Sequence, residues 1–157
     1  MASFWNIVQA DLENRTSVSF ILAAFDDGTG TVNTTALAAV IADGETEMQS
    51  WLVGELGGVI ANWPSDVASD PLYKLCAEEY AIAFTVERHP EAAKQAGLGT
   101  KENYFNRAMA RAKRVQEARQ RATVAEEPPA NVGGLTPATS PLMYTNYPGT
   151  PTNTGDF

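Results

Sequence analysis

The chain has 157 residues, of which 44% are hydrophobic, and a net charge of −8. This length and this hydrophobic content predict one domain of moderate size with its own core. The negative charge argues against general nucleic-acid affinity, because phosphate binding needs clustered cations. No apolar run is long enough to span a membrane. The first residues also lack the cationic start and apolar run of a secretory leader, so we expect none.

The N-terminal segment predicts two short helical pieces. Ile7, Val8 and Leu12 share one helical face, and a second run from 18 to 25 follows the capping candidates Thr16 and Ser17.

Residues 25–33 read FDDGTGTVN, a composition typical of a loop. Asp26, Asp27, Gly28 and Gly30 are similar to part of a calcium-binding loop, which alternates carboxylates around a glycine and ends on a glutamate. Because that glutamate and the alternation are missing here, we expect an ordinary solvated turn.

The segment 34–58 predicts a long helix with one apolar stripe, which other helices must cover. Thr34 or Thr35 is the candidate N-cap, and Gly57-Gly58 supplies the stop. The apolar positions of the stripe are Leu37, Ile41, Met48, Leu52 and Leu56.

An irregular connection precedes a further helix, residues 71–88, with Ser69 or Asp70 as its cap and Pro71 in its first turn. Two adjacent apolar stripes predict that this helix is buried on more than one side. The first stripe contains Leu72, Leu75, Cys76, Ala83 and Val86. The second contains Tyr73, Ala77, Tyr80 and Phe84.

The only histidine and the only cysteine offer no recognisable chemistry. His89 ends the 71–88 helix, where the helix dipole favours its charged form, and we expect a capping or surface role. Cys76 has no disulfide partner in the chain and is expected to be buried. One histidine and one cysteine cannot complete a zinc site, and no nucleophile or phosphate motif is present. We therefore expect no metal, no cofactor and no enzymatic activity.

A short turn of helix after Pro90 precedes a last helix, residues 101–122, with strongly basic composition. Its apolar face is formed by Phe105, Ala108, Met109, Ala112 and Val115. Its cations are Lys101, Arg107, Arg111, Lys113, Arg114, Arg119 and Arg121. Two interpretations remain open at this point: the cations pair with the acidic body, or they form a docking face for an acidic partner or DNA.

From residue 123 onward the composition changes to Pro and Gly without Lys or Arg. Such a segment cannot bury enough surface to fold alone. One interpretation is a simply disordered terminus. The other, which we favour, is an extended arm that orders on a neighbouring subunit through apolar anchors, among them Leu142, Tyr144, Tyr147 and Phe157. The sequence therefore predicts an all-α protein: a small helical bundle in 1–122 and an extended arm in 123–157.

Three stretches resemble the tailed-bacteriophage head-to-tail connector proteins, also called adaptor or head-completion proteins. They are ADLENR at the end of the first helix, VNTTALAAVIADGETEMQSWLVGELG with its Trp51-Leu52 pair, and DPLYKLCAEEYAIAFTVER. Together they cover about residues 8 to 122.

The resemblance implies a structural virion protein that is assembled in the host cytoplasm and located at the neck. It would form a ring, typically of twelve copies, between the portal and the tail or neck protein. Such a ring completes the head and extends the DNA channel, through which double-stranded DNA passes without sequence-specific binding.

In this family the C-terminal portion usually contacts the portal. The resemblance thus assigns portal or subunit binding to Arg107, Arg111, Arg114, Arg121, Leu142, Tyr144, Tyr147 and Phe157. The alternative from the residues themselves is a nucleic-acid-binding packaging or regulatory protein acting through helix 101–122.

Overall fold

A computed structural model describes residues 4–57, 63 and 65–126. These residues form seven α-helices, and the predicted all-α bundle is confirmed. The helices are α1 (Gln9–Arg15), α2 (Val18–Phe25), α3 (Thr34–Leu56), α4 (Ser65–Ser69), α5 (Pro71–Arg88), α6 (Pro90–Gln95) and α7 (Lys101–Glu126). Within this part of the chain, the β pairing is a single antiparallel bridge between Asp26 and Val32, which closes the loop before α3.

The chain divides into two units, Met1–Gln120 and Arg121–Phe157. The first unit contains α1 to α6 and most of α7, and it buries one continuous apolar core. In the second unit, the described residues are the last turns of α7. The predicted C-terminal arm lies almost entirely outside the described residues.

The close packing of α3 against α5 is the centre of the bundle. Gly44 of α3 is buried, and a Cβ built on it would lie 2.7 Å from the carbonyl oxygen of Ala77 and 2.6 Å from the amide nitrogen of Ala81. Only a glycine lets the two backbones approach so closely. Helix α5 is buried on several sides, as its two apolar stripes predict.

A buried carboxylate fastens the N-terminal segment to α3. The Glu45 side chain accepts hydrogen bonds from the amides of Phe4 (2.8 Å) and Trp5 (2.9 Å). The Trp5 indole in turn donates to the carbonyl oxygen of Val67 in α4 (3.3 Å). Because these backbone amides precede α1 and have no helical partner, the carboxylate satisfies donors that burial would otherwise leave unpaired.

The helix ends follow local capping chemistry, with one correction. Ser17 and Asp70 cap α2 and α5 as expected, and Gly57, at φ 70°, ends α3. The predicted cap of α3 at Thr34 or Thr35 is wrong, because Asn33 accepts the hydrogen bond from the amide of Ala36 (3.0 Å). An Asn side chain is at least as good an N-cap as Thr, so the helix begins one residue after it.

Four residues assigned to apolar faces are exposed instead: Val8, Leu56, Leu72 and Met109. Three of them, Val8, Leu56 and Leu72, lie at or next to a helix end. Met109 lies beside the buried stripe of α7, which passes through Tyr104, Ala108, Ala112 and Val115. Two further differences concern the helices themselves. Helix α4 forms in a stretch that was expected to be irregular, and α7 ends at residue 126 instead of residue 122.

Candidate functional site

Helix α7 carries the candidate site, and its position is set by the side chains it buries. Tyr104, Ala108, Ala112 and Val115 lie at three- and four-residue spacings and form its buried stripe. Phe105 packs edge-on against Tyr80 of α5, with 4.9 Å between the ring centroids.

A buried hydrogen bond also joins α7 to α5, since the Tyr73 hydroxyl donates to the Gln116 side chain (3.0 Å). Tyr104 and Gln116 were not on the predicted apolar face. The tyrosine follows the same spacing as the stripe and could have been found, whereas a buried Gln gives no signal in the sequence.

Two cations of α7, Lys101 and Arg119, form ion pairs with carboxylates of the bundle. Lys101 forms an ion pair with Glu87 (2.7 Å) and lies 5.4 Å from the Phe84 and Phe105 ring centroids. Arg119 forms ion pairs with Asp66 of α4 and with Asp70, the second at 3.0 Å. These contacts hold the first residue of α7 and its stretch near Arg119 on the bundle, in accord with the pairing interpretation of its basic composition.

Arg111 belongs to a buried ion cluster that joins three helices. Its Nη1 lies 2.9 Å from Oε1 of Glu79, which is 3% exposed, and Arg15 of α1 pairs with both Glu79 and Glu78. Burial raises the pKa of Glu78, although its hydrogen bond from Arg15 acts in the opposite direction. Within the described residues, neither Oε2 of Glu79 nor Nη1 of Arg111 has a hydrogen-bond partner. Arg111, a predicted partner-binding residue, thus neutralises a buried carboxylate of its own chain.

Arg107, Lys113 and Arg114 form the outward cationic part of α7, and all three are exposed. The Arg107 guanidinium lies over the Tyr104 ring, 4.4 Å from its centroid. Arg114 follows Arg107 by seven residues and therefore lies on the same side of the helix. In the described part of the chain, neither Arg107 nor Arg114 forms an ion pair with a carboxylate.

Of the remaining predicted partner-binding residues, only Arg121 belongs to the part of the chain that the structure describes. Arg121 is exposed and belongs to the second unit. Leu142, Tyr144, Tyr147 and Phe157 lie outside the described residues. The structure therefore brings Arg107 and Arg114 together on one side of α7 and engages Arg111 within the bundle.

The loop before α3 is a hydrogen-bonded turn. Asp26 accepts from the amides of Gly28 (2.8 Å) and Gly30 (3.0 Å). Asp27 accepts from both Thr29 and Thr31, and these bonds lower its pKa to about 2. Since the loop's own donors occupy these oxygens, the carboxylates shape the turn. In the described residues, no group of three or more His, Cys, Asp or Glu side chains is placed to hold a metal ion.

Desolvation by burial is the largest influence on the pKa of both His89 and Cys76. The expectation that His89 favours its charged form is wrong: partial burial lowers its pKa, as does the neighbouring Arg88. Its ring packs against Phe25, with 5.1 Å between centroids, and this contact contributes to the desolvation of the imidazole. Cys76 is buried as expected, and burial raises the pKa of its thiol to about 12. Neither group is activated as a base or nucleophile at neutral pH.

Comparison with protein-family models, with curated proteins and with solved structures gives no match for this chain. None of the helices in the described part of the chain is both long and apolar enough to cross a membrane.

Proposed function

We propose that the protein is a structural adaptor of a tailed-bacteriophage virion. In this role it forms a ring between the portal and the tail or neck protein, completes the head and extends the DNA channel. The proposal starts from the resemblance in α1, α3 and α5. The observation that carries it further is the outward Arg107–Arg114 side of α7 on an otherwise acidic chain.

Charge separation supports an assembly role. Residues 101–126 contain seven Lys and Arg and three carboxylates, whereas the rest of the chain contains four Lys and Arg and sixteen carboxylates. A subunit of a ring must present two unlike, complementary surfaces, because each contact in a ring is heterologous. A cationic helix side and an acidic body supply such a pair.

The partners we propose are the portal, a tail or neck protein and further copies of the same chain. In this scheme the Pro-rich arm, residues 123–157, contacts the portal or a neighbouring subunit through its spaced aromatic residues. Prolines reduce the entropy that an extended arm loses on docking. Double-stranded DNA passes through the ring without sequence-specific binding, and the protein is located at the virion neck.

Deletion of the gene from its phage genome tests this proposal. We expect full heads without tails in electron micrographs, with normal particles restored when the intact gene is supplied in trans. As a control, the deletion strain receives the same plasmid with an early stop codon in the gene, which separates the effect of the plasmid from that of the protein. Normal tailed particles from the deletion strain, without complementation, would contradict the adaptor role.

The alternative proposal is a nucleic-acid-binding packaging or regulatory protein that acts through α7. The exposed Arg107, Lys113 and Arg114 favour it. It requires steeply salt-dependent DNA binding by the isolated protein, because each neutralised phosphate releases counterions. Loss of that binding on replacing Arg107 and Arg114 with Gln would support this alternative over the adaptor.

A further inference from the structure

The outward arginines of α7 form a short linear feature, here called the arginine row: Arg107 and Arg114. Seven residues at a rise of about 1.5 Å each separate their Cα atoms by roughly 10 Å along the helix. Arg111, which lies between them in the sequence, is engaged by Glu79. Among the arginines between residues 101 and 120, Arg107 and Arg114 are therefore the two whose charge no ion pair of the described residues engages.

A complementary feature runs along α3, here called the acidic edge: Glu47, Trp51 and Glu55. Their four-residue spacing places them as neighbours along one side of the helix. Glu55 is exposed, Glu47 and Trp51 are half-buried, and Trp51 packs against the core. In the described residues, neither glutamate forms an ion pair with a cation. Eight residues separate the two, roughly 12 Å along the axis, close to the length of the arginine row.

We propose that the arginine row of one copy docks on the acidic edge of a second copy of this chain. The inference rests on the proposed ring assembly and names the surfaces that join its subunits. Arg107 and Arg114 would face Glu47 and Glu55, with Trp51 between them offering a ring face to a guanidinium.

Charge complementarity favours a second copy over DNA as the occupant. DNA-binding proteins typically neutralise about 6–10 phosphates. Here Lys101, Arg111 and Arg119 are paired with carboxylates of the chain itself. The excess of carboxylates outside α7 repels a polyanion at long range, whereas the same excess attracts the α7 of another copy.

The geometry of such a contact suits a ring. The arginine row and the acidic edge lie on different helices, so the contact is heterologous and leaves one row and one edge free on each dimer. Heterologous contacts of this kind continue until the rotation closes a ring or an open filament forms.

A charge-swap experiment on the full-length chain tests the proposal. The row variant carries Arg107→Glu and Arg114→Glu, and the edge variant carries Glu47→Arg and Glu55→Arg. Sedimentation velocity at low ionic strength and high protein concentration measures self-association. We expect each variant alone to associate roughly tenfold or more weakly than the natural chain, since like charges then face each other. An equimolar mixture of the two variants should associate again, because both of its contacts are complementary.

The control variant, Arg88→Glu and Lys94→Glu, changes the net charge as the row variant does, at exposed residues outside α7, and leaves the row intact. It should associate like the natural chain, and circular dichroism should show equal helix content in every variant. Failure of the mixture to associate overturns the proposal, as does a natural chain that stays monomeric under these conditions. DNA binding lost only in the row variant overturns it as well. Each of these failures concerns the interface, whereas the gene-deletion phenotype decides the adaptor role separately.

Discussion

At the scale of single residues, Gly44 permits a close approach of α3 to α5. A methyl group there would meet the backbone of α5, with Ala81 N at 2.6 Å and Ala77 O at 2.7 Å. Backbone atoms cannot move aside as a flexible side chain can. The gain in helix propensity from Gly to Ala, about 1 kcal/mol, is therefore outweighed by strain.

We predict that Gly44→Ala lowers the free energy of unfolding by about 1–3 kcal/mol, the usual cost of overpacking a core. Gly54→Ala is the matched control, because Gly54 lies in the same helix and has no atom within 4 Å of its added Cβ. This control should raise stability by up to about 1 kcal/mol. Urea denaturation followed by circular dichroism measures both. Equal effects of the two substitutions would contradict the close approach of α3 and α5.

At the scale of helices, Arg111 and Arg114 show that neighbouring arginines on α7 have different roles. Arg111 neutralises the buried Glu79, while Arg114 is exposed. We predict that Arg111→Met, which keeps the apolar stem, lowers the free energy of unfolding by about 1–3 kcal/mol. The loss stays in this range because the Arg15 guanidinium, 3.6 Å from Glu79, still partly neutralises the buried carboxylate.

The control is Arg114→Met, expected to change stability by less than about 0.5 kcal/mol, as surface substitutions usually do. Thermal and urea denaturation of both variants provide the comparison. A destabilisation by Arg114→Met as large as that by Arg111→Met would show that Arg114, too, is bound by the body.

The start of α1 gives a pH-dependent contribution to stability. Asp11 is partly buried, which raises its pKa, but the hydrogen bond from the Val8 amide and the ion pair with Lys74 outweigh burial and lower it below 3.8. A carboxyl group with a lowered folded-state pKa stabilises the fold above its unfolded pKa, and this contribution is lost as the pH falls through the folded-state value.

We predict that Asp11→Asn, which can still accept the Val8 hydrogen bond but has no charge, is less stable than the natural chain at neutral pH. The difference should shrink as the pH falls below 3.8. Urea denaturation at a series of pH values measures it. A difference that is constant across the series would mean that the charge of Asp11 does not stabilise α1.

Sequence patterns predicted the long helices better than their ends and charged contacts. The stripes of α3 and α5 are read from residue spacing, and spacing alone places Leu37 and Tyr80 in the core. The choice between Asn33 and Thr34 as a cap depends on backbone angles that composition does not specify. Which α7 cations pair inward depends on where Glu79 and Asp66 lie in three dimensions. No periodicity in α7 itself contains that information, so Arg111 was grouped with Arg107 and Arg114.

At the scale of the whole molecule, the bundle and the C-terminal arm differ in composition and therefore in the roles we expect of them. The first unit, Met1–Gln120, contains the buried core and ion pairs that join its helices, such as Lys101–Glu87 and Arg119–Asp70. Residues 123–157 contain no Lys or Arg and six of the chain's nine prolines. Composition of this kind contributes little to a core but suits an arm that docks on another surface.

We predict that a chain ending at residue 123 keeps the fold of the bundle but no longer assembles. Its circular dichroism per molecule should retain the helical signal, and its melting should remain cooperative, because the core lies before the deletion. Complementation of the deletion phage should fail, because the arm's anchors Leu142, Tyr144, Tyr147 and Phe157 are absent. A full-length chain with these four residues changed to Ser is the matched control for length, and it should fail as the truncation does. Tailed particles with the truncated chain would exclude a role for the arm in assembly. Loss of the helical signal would instead mean that the bundle needs the arm to fold.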